Sequence, residues 1–115
     1  MSELDDILDE LRGQFYRSAA ERFERIEQAL AALESMPPAA PETFTTLREL
    51  MRQFHSLAGA GSTFSYPAIT TLARQSEQAC DLLLEQNRTP APEDLGRWRE
   101  SLADLRREVA QSEKK

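Results

Sequence analysis

The chain contains a single histidine, His55, and the residues around it suggest what its imidazole could do. At about 100° per residue, Arg48, Arg52, Gly59 and Ser62 share the His55 side of a helix, at the edge of the apolar stripe. Neutral imidazole is a competent nucleophile near neutral pH, and the arginines could balance negative charge added to it. Because helical side chains lean toward the N-terminus, any larger residue in place of Gly59 would lie against the imidazole. The pattern predicts an exposed histidine that accepts an anionic group.

The distribution of acidic residues gives a second, independent indication. None of the 20 acidic residues falls in positions 50–76, a run of 27 in which an even distribution over 115 residues would place about five. That run contains Arg52, His55 and Arg74. A site that carries added negative charge and admits an anionic donor would avoid carboxylates. The alternative is that this run is the most buried part of the chain, although its many Ser, Thr and Gln residues make that explanation incomplete.

Other reactive residue types are sparse. Cys80 is the only cysteine and lies among apolar residues at helical spacing, so we expect a buried, unreactive thiol. One histidine and one cysteine, far apart, do not supply the ligands of a zinc site, and we expect no bound metal. The chain also lacks a nucleophile, base and orienting group in one set, which argues against an enzyme with its own small-molecule substrate.

Length and charge exclude several classes of protein. With 115 residues, the chain is long enough for one core only, so we expect a single domain over residues 1–115, with 110–115 as a tail or linker. A net charge of −6 argues against binding nucleic acid or an anionic membrane. No membrane span or signal peptide is evident. We expect a cytoplasmic monomer, although the stripe over residues 4–15 could also pair two copies.

The elements that must position these residues are helices. Apolar residues recur at three- and four-residue steps in four stripes, separated near residues 37–41, 65–67 and 87–92. The first stripe predicts one long helix or two, and Gly13 is the expected break between a short leading helix and a main helix, because an interior glycine costs about 1 kcal/mol relative to alanine. No segment alternates with the period of a strand, and short connections make neighbouring helices antiparallel. The predicted fold is all-α: an up-down antiparallel four-helix bundle with a short N-terminal helical arm.

One segment carries a specific resemblance. Residues 54–66, with the sequence FHSLAGAGSTFSY, precede an amphipathic helix that opens with Pro67. This segment resembles the phosphorylation site of histidine phosphotransfer (HPt) domains, which are four-helix bundles of about this length. The family pattern is a histidine, an apolar residue two positions later, a lysine three later and a glycine four later. His55, Leu57 and Gly59 match it.

Two positions depart from the family pattern. Ala58 stands where the family usually has the lysine, and Ser65 where it often has a turn glycine. The missing lysine leaves the charge of a phosphohistidine to be balanced by other residues. The candidates on this chain are Arg48, Arg52, Arg74 and Gln78.

The resemblance implies a function. His55 would accept a phosphoryl group and pass it to or from the aspartate of a receiver domain, in a response regulator or a hybrid histidine kinase. It also implies that Mg²⁺ is bound by the receiver, so that this chain needs no cofactor of its own and is a carrier without autonomous kinase activity. A second hypothesis stays open: a helical adaptor that binds a receiver or another signalling partner but in which Ala58 marks impaired transfer.

Overall fold

The computed structural model describes residues 2–37 and 40–114, which form four α-helices. Helix α1 spans Glu3–Ser35, α2 spans Glu42–Thr63, α3 spans Pro67–Glu85 and α4 spans Pro92–Glu113. Helix α1 packs on α2 and α4, and α3 packs on the same two helices, which closes the bundle. The described residues contain no strand. The predicted all-α four-helix bundle is confirmed.

The predicted division of the first stripe at Gly13 is wrong, because α1 continues through it without a break. The penalty of about 1 kcal/mol for an interior glycine is small compared with the burial gained by the residues that follow it. The start of the helix is stabilised by Ser2, whose hydroxyl accepts the backbone N–H of Asp5 at 3.1 Å. The predicted arm is therefore the first three turns of α1, residues 3–14, and not a separate helix.

Each helix buries an apolar stripe. Residues one position away from a stripe are largely exposed, as the helical period requires. None of the helices, as far as the chain is described, is long and apolar enough to cross a membrane. The largest fully buried side chains include Trp98, Phe54, Ile26, Leu30, Leu47, Leu50, Leu57, Ile69, Leu102 and Leu105.

The turn between α2 and α3 fixes how these two helices meet. Ser65 has a φ of 62°, the left-handed region that glycine adopts most easily. The backbone N–H of Tyr66 donates to the carbonyl of Gly61 at 2.7 Å, and Pro67 then occupies the first turn of α3, where its missing N–H costs nothing. Ser65 therefore takes a backbone conformation suited to the glycine that the family often has there.

Candidate functional site

His55 lies near the middle of α2, on the side that faces solvent. Its side chain is 73% exposed, whereas Phe54 and Leu57 are fully buried. The helical step of about 100° accounts for this arrangement, because it turns positions 54 and 57 inward and leaves position 55 at the edge of the buried stripe. A continuous helix thus presents an accessible imidazole.

The imidazole has a carboxylate partner on the neighbouring helix. Nδ1 of His55 lies 2.6 Å from Oε2 of Glu77 on α3. The predicted absence of carboxylates around His55 is therefore wrong. Glu77 is the first residue after the acid-free run, and the packing of α3 on α2 brings it to the histidine. At 23% exposed, the Glu77 side chain lies at the base of the site, with the imidazole above it.

This contact determines which nitrogen can react. A carboxylate accepts hydrogen bonds, so in the neutral ring Nδ1 carries the proton and Nε2 keeps its lone pair. The ring is oriented by the same contact. When Nε2 forms a bond to an electrophile, the ring becomes cationic, and the Glu77 carboxylate beside Nδ1 stabilises that charge.

The small residues after His55 lie in different environments. Ala58 is buried in the contact between α2 and α3, where Oγ1 of Thr70 donates to its carbonyl oxygen at 3.3 Å. Gly61 is buried in the same contact, and a Cβ there would lie 2.6 Å from Oγ1 of Thr70. Gly61 thus allows the two helices to approach closely. We call this contact the α2–α3 seam. Because position 58 is a buried alanine, it places no positive charge near His55.

Gly59 lies on the opposite, exposed side of α2. A Cβ added there would meet no atom within 4 Å. Position 59 therefore leaves the surface beside His55 open. However, the expectation that any larger residue would lie against the imidazole is wrong for alanine, because the methyl group would not reach the ring.

The two predicted arginines on α2 are exposed beside a groove between α1 and α2. Arg48, Arg52 and Arg25 contribute to the lining of this groove, whose volume is about 500 Å³. Nη1 of Arg52 lies 3.1 Å from Oε2 of Glu49, in an exposed pair that contributes little to stability. Among the described residues, neither Arg25 nor Arg48 has a carboxylate within ion-pairing distance.

The remaining predicted residues are exposed and make no side-chain hydrogen bond within the described part of the chain. Arg74 precedes Glu77 by three residues on α3, so both side chains lie on the same face of that helix. Gln78 follows Glu77 directly, and Ser62 lies two turns after His55. The structure thus brings Glu77 to the imidazole, whereas none of these three makes a side-chain hydrogen bond to it.

Sequence reasoning missed Glu77 and Arg25. Glu77 follows the buried Ala73 by four residues and precedes the buried Cys80 by three, so helical spacing puts its acidic side chain at the edge of a buried stripe. That unusual position was the available signal. Arg25 gave none, because its place in the groove depends on how α1 packs against α2.

The other reactive groups are accounted for by packing. Burial raises the pKa of the Cys80 thiol, in agreement with the prediction of an unreactive core cysteine. Within residues 2–37 and 40–114, no group of three or more His, Cys, Asp or Glu side chains is placed to hold a metal ion.

Comparison with known families agrees with this geometry. The family model of the Hpt domain matches residues 10–108, which include His55, Glu77 and most of all four helices. No curated protein and no solved structure gives a match. Hpt domains carry phosphoryl groups on a histidine and interact with receiver domains and histidine kinases. With the match covering most of its length, the chain belongs to the Hpt domain family, the histidine phosphotransfer domains of phosphorelays.

Proposed function

We propose that His55 is the phosphoryl acceptor of this chain and that Nε2 is its reacting atom. The observation that carries the proposal is the contact between His55 and Glu77. Because Glu77 holds Nδ1 at 2.6 Å, the exposed ring keeps a free lone pair at Nε2. Helix α2 holds the ring at the edge of its buried stripe, so a partner can reach Nε2 with little rearrangement of this chain.

In the proposed transfer, the lone pair of Nε2 attacks the phosphorus atom of an aspartyl phosphate on the receiver. An N–P bond forms, the P–O bond to the aspartate breaks, and the aspartate leaves with the electron pair. No proton has to leave Nε2, because in this tautomer it carries none. The ring becomes cationic while Glu77 keeps the hydrogen bond from Nδ1, and the reverse sequence returns the phosphoryl group to an aspartate.

We infer that the receiver supplies the Mg²⁺ that this transfer requires. Mg²⁺ prefers an octahedral set of oxygen ligands. The carboxylate that contacts His55 is already engaged with Nδ1, and the described residues contain no group of three or more acidic, His or Cys side chains placed to hold a metal ion. The chain therefore contributes a nucleophile and a group that orients it, which is the role of a carrier and not of a kinase.

The charge of the phosphoryl group needs a cation that Ala58 does not provide. Arg74 shares the Glu77 face of α3, and no carboxylate lies within ion-pairing distance of it among the described residues. Arg52 already pairs with Glu49. We therefore favour Arg74 as the main balancing charge.

Charge also suggests how the receiver approaches. The α1–α2 groove carries Arg25, Arg48 and Arg52 against one carboxylate, Glu49, whereas the α3 side of His55 carries Arg74 against Glu77 and, one turn later, Asp81. The phosphorylation site of a receiver is acidic, so we infer that its rim lies over the arginine side. Ser62 and Gln78 are proposed as polar contacts at the edges of the docked receiver.

The experiment that tests the proposal is intact-mass analysis after incubation with phosphoramidate or a phosphorylated receiver. We expect one acid-labile phosphoryl adduct on the wild type, none on His55→Gln, and an adduct on the control Gly59→Ala, whose added methyl meets no neighbour. An adduct that persists on His55→Gln, or no adduct from any donor, would contradict the proposal.

Ala58 favours one alternative, a receiver-binding adaptor with impaired transfer. The lysine position of the family is here an alanine buried in the α2–α3 seam. For an adaptor, receiver binding would be unchanged in His55→Gln, and the wild type would acquire no adduct. The presence or absence of an adduct on the wild type therefore separates the two functions, and the affinities of the wild type and His55→Gln for an unphosphorylated receiver show whether binding depends on His55.

A further inference from the structure

The arm, residues 3–14 of α1, exposes an apolar stripe that nothing in the described chain covers. Leu4, Ile7, Leu8 and Leu11 are 63%, 53%, 41% and 38% exposed. The next residue of the stripe, Phe15, is only 2% exposed, because Phe64 and Tyr66 of the α2–α3 connection pack on it. Helix α1 has 33 residues and α2 has 22, so the arm extends the stripe beyond the end of its neighbour.

The spacing of the stripe is that of a coiled coil. Leu4, Leu8, Leu11 and Phe15 follow one another at four, three and four residues, which corresponds to alternating d and a positions of a heptad. The flanking e positions are then Asp5 and Arg12, and the flanking g positions are Ile7 and Gln14. The other acidic residues of the arm lie on its outer side: Glu3, Asp6, Asp9 and Glu10. The edge available for contact is therefore neutral overall, although the arm as a whole is acidic.

We propose that the arms of two copies of this chain pair antiparallel and form a homodimer. In an antiparallel pair, a positions pack against d positions, so Leu8 of each copy meets Leu11 of the other. In the same register the e positions face each other, which brings Asp5 of each copy to Arg12 of the other. Every contact occurs twice, as a two-fold axis requires. A parallel pair would instead place g beside e, with Ile7 next to Arg12 and no ion pair.

Within the described part of the chain, Arg12 makes one ion pair, and Asp5 makes none. Arg12 lies 3.3 Å from Asp9, but their side chains are 56% and 64% exposed, so this pair is easily exchanged for another. The base of the arm also borders a groove of about 760 Å³, whose lining includes Arg12, Tyr16 and Tyr66 together with Glu108 and Glu113 of α4. Neither of these two carboxylates lies within ion-pairing distance of Arg12. In the antiparallel register, residue 4 of the second copy lies opposite residue 15, but Phe15 is already covered within its own bundle. The two layers formed by Leu8 and Leu11 therefore carry the pairing.

The size of the stripe sets the expected strength of the dimer. Four partly exposed side chains per copy offer less than the ~800 Å² per partner of a standard stable interface. We therefore expect a dimer that dissociates on dilution through the micromolar range. His55 lies well along α2 from the arm, so both acceptor sites stay open and the dimer does not depend on the proposed function. This pairing is the alternative to the monomer expected from the sequence.

The test is sedimentation equilibrium of the full chain from micromolar to millimolar concentration. Leu8→Glu places a charge in the stripe, and Leu82→Glu is the matched control, since Leu82 is 51% exposed on α3. We expect the wild type and Leu82→Glu to dimerise alike and Leu8→Glu to be monomeric, with unchanged helix content by circular dichroism. A wild type that stays monomeric throughout, or a dimer that persists in Leu8→Glu, overturns the proposal.

A charge exchange tests the register. Asp5→Arg and Arg12→Asp should each weaken dimerisation several-fold, because each creates like-charge contacts, and the double variant should restore it. A dimer that is lost in Leu8→Glu but does not respond to these exchanges would overturn the antiparallel arrangement.

Discussion

The two sides of α2 near His55 are constructed differently. On the side of the α2–α3 seam, Ala58 and Gly61 are buried and Thr70 fills the space between the helices. On the solvent side, Gly59 is surrounded by open space. His55 stands between the two, with Nδ1 on the closed side and Nε2 on the open side. A residue that transfers a group needs both: a packed side that fixes its orientation and an open side that admits the donor.

The largest effect is expected from closing the space at Gly61. In Gly61→Ala, the new Cβ would lie 2.6 Å from Oγ1 and 3.0 Å from the backbone nitrogen of Thr70, so the helices must move apart. We expect unfolding to require about 1–2 kcal/mol less free energy, because the cost of overpacking exceeds the gain of replacing a helical glycine. Urea denaturation followed by circular dichroism measures this change.

Gly59→Ala is the matched control for that prediction. It makes the same chemical change two residues away but meets no atom within 4 Å, so only the helix propensity of alanine acts. We expect stabilisation of about 0.5–1 kcal/mol. Equal effects of the two substitutions would show that the seam is not the close contact described here.

The next-largest effect is expected from removing Glu77, the carboxylate that contacts Nδ1 of His55. Glu77→Ala removes the hydrogen-bond acceptor of Nδ1, so both the preferred tautomer and the ring orientation are lost. We expect the phosphorylation rate to fall about five- to tenfold. A partly exposed hydrogen bond to a charged group contributes roughly 1 kcal/mol, and losing it would raise the activation free energy by about that amount. Rapid-quench measurement with a phosphorylated receiver gives this rate.

Glu77→Gln separates orientation from charge. An amide oxygen can still accept the proton of Nδ1, but it does not balance the cationic ring. We expect a rate between those of the wild type and Glu77→Ala. If Glu77→Ala reacts as fast as the wild type, the contact between Glu77 and His55 has no part in transfer.

The smallest effect is expected from the exposed arginines. Arg74→Gln should lower the phosphorylation rate two- to fourfold, because it removes a positive charge on the His55 side of α3. The effect is small because solvent and salt screen a charge at this exposed position. Arg52→Gln should have a weaker effect, since Arg52 already pairs with Glu49. Comparing the two rates at low and high salt checks this order, and a larger loss in Arg52→Gln would reverse the assignment.

The fold could be predicted from the sequence because periodicity is a local property. The four stripes, the prolines between them and the short connections were sufficient for the bundle. The continuity of α1 could not be predicted in this way, because the cost of Gly13 is local, whereas the packing of the residues after it depends on the whole bundle. The number of α1 residues that extend beyond the bundle also depends on where α2 ends in space, and the apolar pattern of α1 alone does not predict that position.

The site was predictable only in part, and for a related reason. The exposure of His55 follows from its place at the edge of one helix. Its contact with Glu77 joins residues 22 positions apart and depends on the separation of two helices, which Gly61 and Ser65 determine. An acid-free stretch of sequence therefore did not mean an acid-free surface.

The uninterrupted helix beneath His55 has a kinetic consequence for a carrier. A phosphoryl carrier must release each partner soon after transfer, so tight complexes would limit its throughput. Because His55, the proposed acceptor, is already held in place, docking orders few side chains, and little of the contact energy is spent on fixing the nucleophile. A brief, weak encounter is then sufficient for reaction, and fast dissociation leaves the carrier available to the next partner.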